Sequence, residues 1–186
     1  GGTSALDMNS RFDRYVEELF RQEVSANTIT LHYTVKDPES YGIQNPPVSC
    51  GYAGTDSALI CASAENALAS LHLSDYNKLT YDILEHSYTS SLEMGPYLLY
   101  EEPLTPLTGT QAQLPILLSE YRFYNTDDID TYLKLLTTIP DYFQSILTFE
   151  KAKSNAGLFM ASYVADDIIT ECQTFATMKN NYLYAT

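Results

Sequence analysis

The spacing of apolar residues along the chain predicts a protein built from α-helices. Apolar side chains recur at intervals of three and four residues, with polar residues between them, and this period is typical of helices that bury one face. The fold class is therefore all-α, with about seven helices in an irregular bundle. The segments that show this pattern are 12–24, 28–33, 57–71, 75–94, 115–123, 127–139, 142–157 and 162–178.

The segment after Asn27 fits two structures. Asn27 can cap a short helix that runs through Tyr33, because asparagine is favoured at the N-cap. Ile29, Leu31 and Val35 also take part in an alternation that is typical of a strand. We favour the helix.

Two proline-rich segments, 36–54 and 96–115, predict long connections between helices. Proline lacks the backbone N–H that helices and central strands use, and its ring clashes with the preceding helical turn. We expect the first segment to be irregular surface chain. The second is predicted to be an extended crossover that ends where Pro115 occupies the first turn of a helix. Pro140 is predicted to end or kink the helix in which it lies.

The length and composition favour one domain. The chain has 186 residues, of which 45% are hydrophobic, and this is enough for one substantial core. No internal repeat or domain boundary is visible. We therefore expect a single helical domain over 1–186, with poorly ordered ends at 1–10 and 180–186.

The net charge argues against two classes of partner. The formal net charge is -14, the wrong sign for binding the polyanionic backbone of a nucleic acid or an anionic membrane surface. No apolar stretch approaches the roughly 20 residues of a membrane-spanning helix, so we expect no membrane insertion by this segment. A basic region followed by the apolar core of a signal peptide is not visible either.

Motifs for catalysis and metal binding are not recognisable. The sequence has no nucleophile elbow, Gly-rich phosphate loop, dinucleotide fingerprint or helical zinc signature. His32, His72 and His86 lie on separate predicted elements, where structural or surface roles are the simpler interpretation. We therefore expect no catalytic residue, no cofactor and no metal ligand in this segment.

Acidic and cysteine residues also favour structural interpretations. The acidic cluster at 127–130 opens a predicted helix, where negative charge is favourable, and it lacks the spacing of a calcium-binding loop. Cys50, Cys61 and Cys172 are odd in number and lack CxxC spacing. Inert cysteines are favoured, with a bridge between Cys50 and Cys61 as the alternative.

Glutamines and tyrosines near the second proline-rich segment are the candidates for ligand contacts. The chain has 16 Tyr and no Trp. Tyrosine suits both a half-buried core and a groove that binds peptide or sugar. Gln111 and Gln113 precede a predicted helix start, where they could cap the helix or stand beside N–H groups that meet a ligand carboxylate. The candidate substrate-facing residues are therefore Gln111, Gln113, Tyr121 and Tyr124, with core and rim packing as the alternative for the tyrosines.

Four segments of the chain, 12–43, 79–85, 101–143 and 153–160, together resemble the N-terminal region of the bacterial family catalogued as domain of unknown function 885. The most specific runs are Gly-x-Gln-x-Gln-Leu-Pro and Lys-Ser-x-x-Gly-Leu-Phe. The resemblance spans most of the chain. The segments that carry it are 12–43, LTYDILE at 79–85, 101–143 with GTQAQLP at 109–115, and KSNAGLFM at 153–160.

The resemblance implies a helical piece of a larger enzyme-like protein. Members of the family resemble zinc metallopeptidases, are often exported or lipid-anchored, and carry His-Glu and His-His zinc motifs far toward the C-terminus. These motifs are not in this sequence, so no metal ligand can be assigned to it. The resemblance thus implies zinc only in the full-length protein, a C-terminal catalytic part of the same chain as partner, a peptide substrate, and a location outside the cell or at its surface.

Three hypotheses about function follow. In the first, the chain is a non-catalytic N-terminal segment that lines or covers the substrate cleft of such a peptidase. In the second, it is an independent extracellular module that binds peptide or carbohydrate. In the third, it is purely structural, and its exposed apolar surface promotes self-association.

Overall fold

A computed structural model describes residues 5–53 and 75–184. No strand occurs in these two stretches, and the all-α prediction is confirmed. Two 3₁₀-helices, Pro38–Tyr41 and Gly95–Tyr100, lie between the α-helices. The helix predicted over 57–71 lies outside the described residues. The α-helices are α1 (Ala5–Ser25), α2 (Thr28–Thr34), α3 (Asp75–Met94), α4 (Thr110–Ser119), α5 (Asp127–Asn155) and α6 (Ser162–Thr177).

The chain divides into two compact units, residues 1–98 and 99–186. In the first unit, the amphipathic pattern of α1 correctly predicts a helix that buries Phe12 and Val24. The ambiguous segment that follows is also a helix, α2. The apolar cluster of this region consists of Val24, Leu31, Val35 and Ile43.

Asn27 explains why the segment is a helix rather than a strand. Its side-chain oxygen accepts hydrogen bonds from the backbone N–H groups of Ile29, at 2.9 Å, and Thr30, at 3.2 Å. These are two of the donors that a helix start leaves without an internal partner. The N-cap that the sequence offers is therefore the one that the structure uses.

The connection after α2 is irregular over most of 36–53, as its prolines predict, and polar contacts bind it to α2. The Thr28 N–H donates to the Ser49 carbonyl oxygen, and the Ser49 N–H donates to Thr28 Oγ1, both at 2.8 Å. Asn27 Nδ2 donates to the Cys50 carbonyl oxygen at 2.9 Å. Three neutral hydrogen bonds therefore hold the far end of the connection.

Helix α3 begins at Asp75 and ends at Met94, and both bounds agree with the sequence prediction. Its buried Asn77 contacts α1. Asn77 Nδ2 donates to Asn9 Oδ1 and Asp13 Oδ1, both at 3.1 Å. These polar contacts fix the register of α3 against α1.

The prediction of an extended crossover over 96–115 is wrong in two respects. Gly95–Tyr100 is a 3₁₀-helix, and α4 begins at Thr110 rather than at Pro115. The N–H groups of Ala112 and Gln113 both donate to the Gly109 carbonyl oxygen at 3.0 Å, so the helix starts without help from proline. Inside α4, Pro115 removes only one internal hydrogen bond.

Pro140 does not end its helix. The two helices predicted on either side of it are one 29-residue helix, α5, with Pro140 inside. Buried Leu135 and Ile146 lie on either side of the proline. Most of the stability of a protein helix comes from packing of its apolar face, so burial on both sides outweighs the local cost of the proline.

Helix α6 begins at Ser162 as predicted, but Ser162 does not cap it, because the N-cap is Ala161 and no side-chain hydrogen bond is made there. Beyond α6 the chain folds back. Asn181 Oδ1 accepts from the N–H groups of Leu183, at 3.1 Å, and Tyr184, at 3.2 Å. Asn181 is buried, which ties this last turn to the second unit.

Candidate functional site

The two candidate glutamines brace the chain that precedes α4. Gln111 Nε2 donates to the Thr105 carbonyl oxygen at 2.7 Å and to Glu171 Oε2 at 3.0 Å. Gln113 Nε2 donates to the Leu107 carbonyl oxygen at 3.0 Å. These bonds of the two amide groups are directed to the preceding loop and to Glu171 rather than to the first N–H groups of the helix. Both side chains therefore stabilise the connection rather than the helix start.

Residues 103–109, which we call the braced loop, present one apolar side chain to solvent. Leu107 is 78% exposed. Its φ of 67° lies in the left-handed region, which non-glycine residues seldom adopt. Its N–H donates to Glu171 Oε1 at 3.3 Å. Strained backbone of this kind persists only where the surrounding contacts hold it, and it is concentrated at functional sites.

Gly109 allows the braced loop to fold back on itself. Its N–H donates to the Thr105 carbonyl oxygen at 2.9 Å. A Cβ at this position would lie 2.3 Å from the Thr105 backbone nitrogen and 2.6 Å from its carbonyl oxygen. Only glycine fits here, so the Gly-x-Gln-x-Gln run serves the loop at all three of its named positions.

Tyr121 and Tyr124 follow α4 and lie in different environments. Tyr121 is buried, and its ring centroid lies 5.7 Å from that of Phe123 and 5.0 Å from that of Tyr132. Tyr132 donates its hydroxyl to the Leu118 carbonyl oxygen at 3.1 Å, and burial raises the pKa of Tyr132. Tyr124 is 65% exposed. Of the two tyrosines, only Tyr124 presents most of its side chain to solvent.

The candidate residues lie at both ends of α4. Gln111 lies in the first turn of α4, whereas Tyr121 follows its last residue, which places them about 15 Å apart along the axis at the α-helical rise per residue. Gln111 Oε1 is buried and has no hydrogen-bond partner among the described residues. The role of all four residues in substrate contact stays a prediction.

Three ionisable residues that the sequence analysis did not single out meet in the second unit. Glu102, Glu150 and Lys153 form what we call the carboxyl–lysine cluster. Lys153 Nζ lies 2.9 Å from Glu102 Oε2 and donates to the carbonyl oxygen of Glu101. Glu150 is 6% exposed and Lys153 is 3% exposed. Charged residues are almost never buried to this degree unless they are paired.

The two carboxyl groups of the cluster have opposite protonation tendencies. Burial, the hydrogen bond with Glu102 and the negative charge of Glu102 raise the pKa of Glu150 to about 8. Burial also raises the pKa of Glu102, but hydrogen bonds from Glu150, Lys153 and the Leu104 N–H outweigh it and hold that pKa below its ordinary value. At neutral pH, Glu150 therefore keeps its proton, whereas Glu102 is ionised.

A signal for this cluster is present in the sequence. Ile146, Phe149, Glu150 and Lys153 follow the three-to-four spacing of one helix face, which places the two ionisable residues on the buried side. A lysine near the C-terminal end of a helix is explained by the helix dipole alone. The position of Lys153 therefore does not indicate that it has a carboxylate partner. The sequence could not show that Glu102 lies opposite.

Among the other candidate groups, Asp128 makes structural contacts at the start of α5, and two groups lie outside the described residues. Asp128 Oδ2 accepts from the N–H groups of Tyr124, at 2.7 Å, and Asn125, at 3.2 Å, as expected of an acidic residue at a helix start. His72 and Cys61 lie outside the described residues. Within residues 5–53 and 75–184, no group of three or more His, Cys, Asp or Glu is arranged to hold a metal ion. In the same stretches no helix has both the length and the apolarity to cross a bilayer.

Comparison of the chain with protein-family models, with curated proteins and with solved structures finds no match.

Proposed function

We propose that this chain is the non-catalytic N-terminal helical part of a bacterial zinc-metallopeptidase-like protein, located outside the cell or at its surface, where it lines or covers the substrate cleft. The C-terminal catalytic part of the same protein would supply the zinc ligands. The proposal starts from the resemblance to the family of domain of unknown function 885.

The observation that supports a binding role is the braced loop. Its backbone is held by Gln111, Gln113 and Glu171, while Leu107 at its tip projects into solvent. These three side chains fix the backbone on both sides of the exposed leucine. The loop therefore loses less conformational entropy when a partner covers the leucine. This arrangement suits an apolar contact to a peptide side chain in a cleft.

The experiment uses the full-length protein that the proposal implies. The reading frame beyond Thr186 should encode a helix with His-Glu and His-His, and the product should cleave peptides and lose this activity on chelation. Changing Leu107→Asn should raise KM about tenfold, because it removes about 1.5 kcal/mol of apolar burial. Leu133→Asn, at an exposed leucine of α5, is the matched control and should leave KM unchanged. Absence of chelator-sensitive cleavage contradicts the proposal, and an unchanged KM in Leu107→Asn removes the loop from the cleft.

Exposed tyrosines favour a second candidate, an independent extracellular module that binds peptide or carbohydrate. Tyr100 and Tyr124 expose most of their side chains. Aromatic rings of this kind supply rigid contact area at low entropic cost. A reading frame without zinc motifs, together with measurable affinity of this chain for peptides or glycans and its loss in Tyr124→Ala, would support this candidate over the peptidase.

A further inference from the structure

We propose that the carboxyl–lysine cluster is a proton-dependent latch that holds residues 101–104 on α5 and releases them as the pH rises. Glu150 and Lys153 are the part of the latch on the helix, and Glu102 is the part on the segment. Lys153 holds the segment at two points, the Glu102 carboxylate and the Glu101 carbonyl oxygen. The inference does not depend on the proposed function.

The number of charges in the cluster makes a proton necessary. Two carboxyl groups share one ammonium group, so ionisation of both leaves a net negative charge at a site with little access to water, which is costly. Among the described residues, the ionisable groups that act on Glu150 are Glu102 from the segment and Lys153 from its own helix. Neither oxygen of Glu150 accepts a hydrogen bond from a described donor. A proton on Glu150 supplies the missing hydrogen bond and makes the cluster neutral.

The direction of the pH dependence follows from the protonation of Glu150. In the closed latch the pKa of Glu150 is raised from 4.5 to about 8 by burial and by Glu102. In the released form Glu150 is solvated and recovers its ordinary pKa. The closed form therefore binds more protons between these two values, so it is lost as the pH rises through this range and changes little above it. One proton allows a change in the opening equilibrium of at most about tenfold per pH unit.

Release of the latch would weaken the anchoring of the braced loop, which carries the exposed Leu107. The segment 101–104 leads directly into the loop, and the Thr110 N–H is bound to the Pro103 carbonyl oxygen at 2.9 Å. At low pH the closed latch anchors the chain just before Leu107, and this anchor weakens progressively as the pH rises toward about 8. Where the latch is open, the loop keeps only its hydrogen bonds with Gln111, Gln113 and Glu171.

The test is amide hydrogen exchange over residues 101–109 between pH 6 and pH 9, expressed as protection relative to the intrinsic exchange rate at each pH. In the wild type, protection should fall by at least about tenfold between pH 6 and pH 8. Glu150→Gln keeps a neutral donor toward Glu102 but cannot ionise, so its protection should not vary with pH. Glu101→Gln removes an exposed carboxyl beside the cluster and should behave as the wild type.

Protection that is constant with pH in the wild type overturns the latch, and so does an equal pH dependence in Glu150→Gln and the wild type. If Glu150→Gln does not fold, the question is decided by an NMR titration that follows the chemical shift of the Glu150 carboxyl carbon with pH in the wild type. A midpoint well above those of the exposed glutamates supports the latch. A midpoint among theirs overturns it.

Discussion

The α1–α2 region and the α5 region each hold an irregular segment on a helix, but they use different chemistry. In the first, neutral hydrogen bonds from Asn27 and Thr28 hold residues 49–50, and an apolar cluster lies in the same region. In the second, a buried ammonium group and two carboxyl groups hold residues 101–104. Apolar contacts and neutral hydrogen bonds do not titrate, whereas the charged contacts do.

The difference shows that burial alone does not determine whether the anchoring of a segment depends on pH. Exchange protection of the Ser49 amide should be nearly constant between pH 6 and pH 9, because its contact with Thr28 is neutral. Protection of the segment on α5 should depend on the proton of Glu150. One chain thus combines a segment with a pH-independent anchor and a segment with a pH-dependent anchor.

Loss of the ammonium group should have the largest effect. Lys153→Met keeps most of the apolar stem but leaves Glu102 without its cation, and we expect it to lower the free energy of unfolding by about 4 kcal/mol, as for other broken buried ion pairs. The loss should increase as the pH rises toward 8, because Glu150 then ionises without a compensating cation. Urea denaturation at pH 6 and pH 8 measures both effects.

The matched control is Lys151→Met, because Lys151 is exposed and lies two residues away on α5. It should change the free energy of unfolding by less than about 0.5 kcal/mol. Equal destabilisation by Lys151→Met and Lys153→Met would show that the cluster contributes no specific stability.

The next largest effect on the free energy of unfolding should come from truncating a buried apolar side chain in the α1–α2 region. Leu31 is 7% exposed, and Leu31→Ala should lower the free energy of unfolding by about 3 kcal/mol through lost burial and a cavity. This loss should be the same at pH 6 and pH 8. Leu79→Ala, at a leucine of α3 that is 61% exposed, is the control and should have little effect. A pH-dependent loss in Leu31→Ala would contradict the apolar character of the cluster around Leu31.

Local signals predicted most of the described helices. The spacing of apolar residues placed α1 and α3, and Asn27 placed the start of α2. The continuation of α5 through Pro140 could not be predicted from local signals. Proline weakens a helix locally, but burial at Leu135 and Ile146 outweighs that cost, and this burial depends on the whole fold.

The candidate site was less predictable than the fold. The Gly-x-Gln-x-Gln run drew attention to Gln111 and Gln113, yet the sequence could not show that their amides bind the backbone of the preceding loop. The carboxyl–lysine cluster joins residues about 50 positions apart, Glu102 with Lys153. Helical spacing predicts which face a residue occupies, but it does not identify a partner on a distant segment.

The smallest effect concerns the neutral anchor at Asn27. Asn27→Ala removes the cap of α2 and the hydrogen bond to the Cys50 carbonyl oxygen, and it should lower the free energy of unfolding by about 1 kcal/mol. Asn27→Ser keeps an acceptor for the cap but is too short to reach Cys50, so urea denaturation of the two variants separates the two contributions. Both losses should be equal at pH 6 and pH 8. A loss that grows with pH would show that an ionisable group acts on the anchor at Asn27, and the contrast between the two anchors would then be one of degree rather than of chemistry.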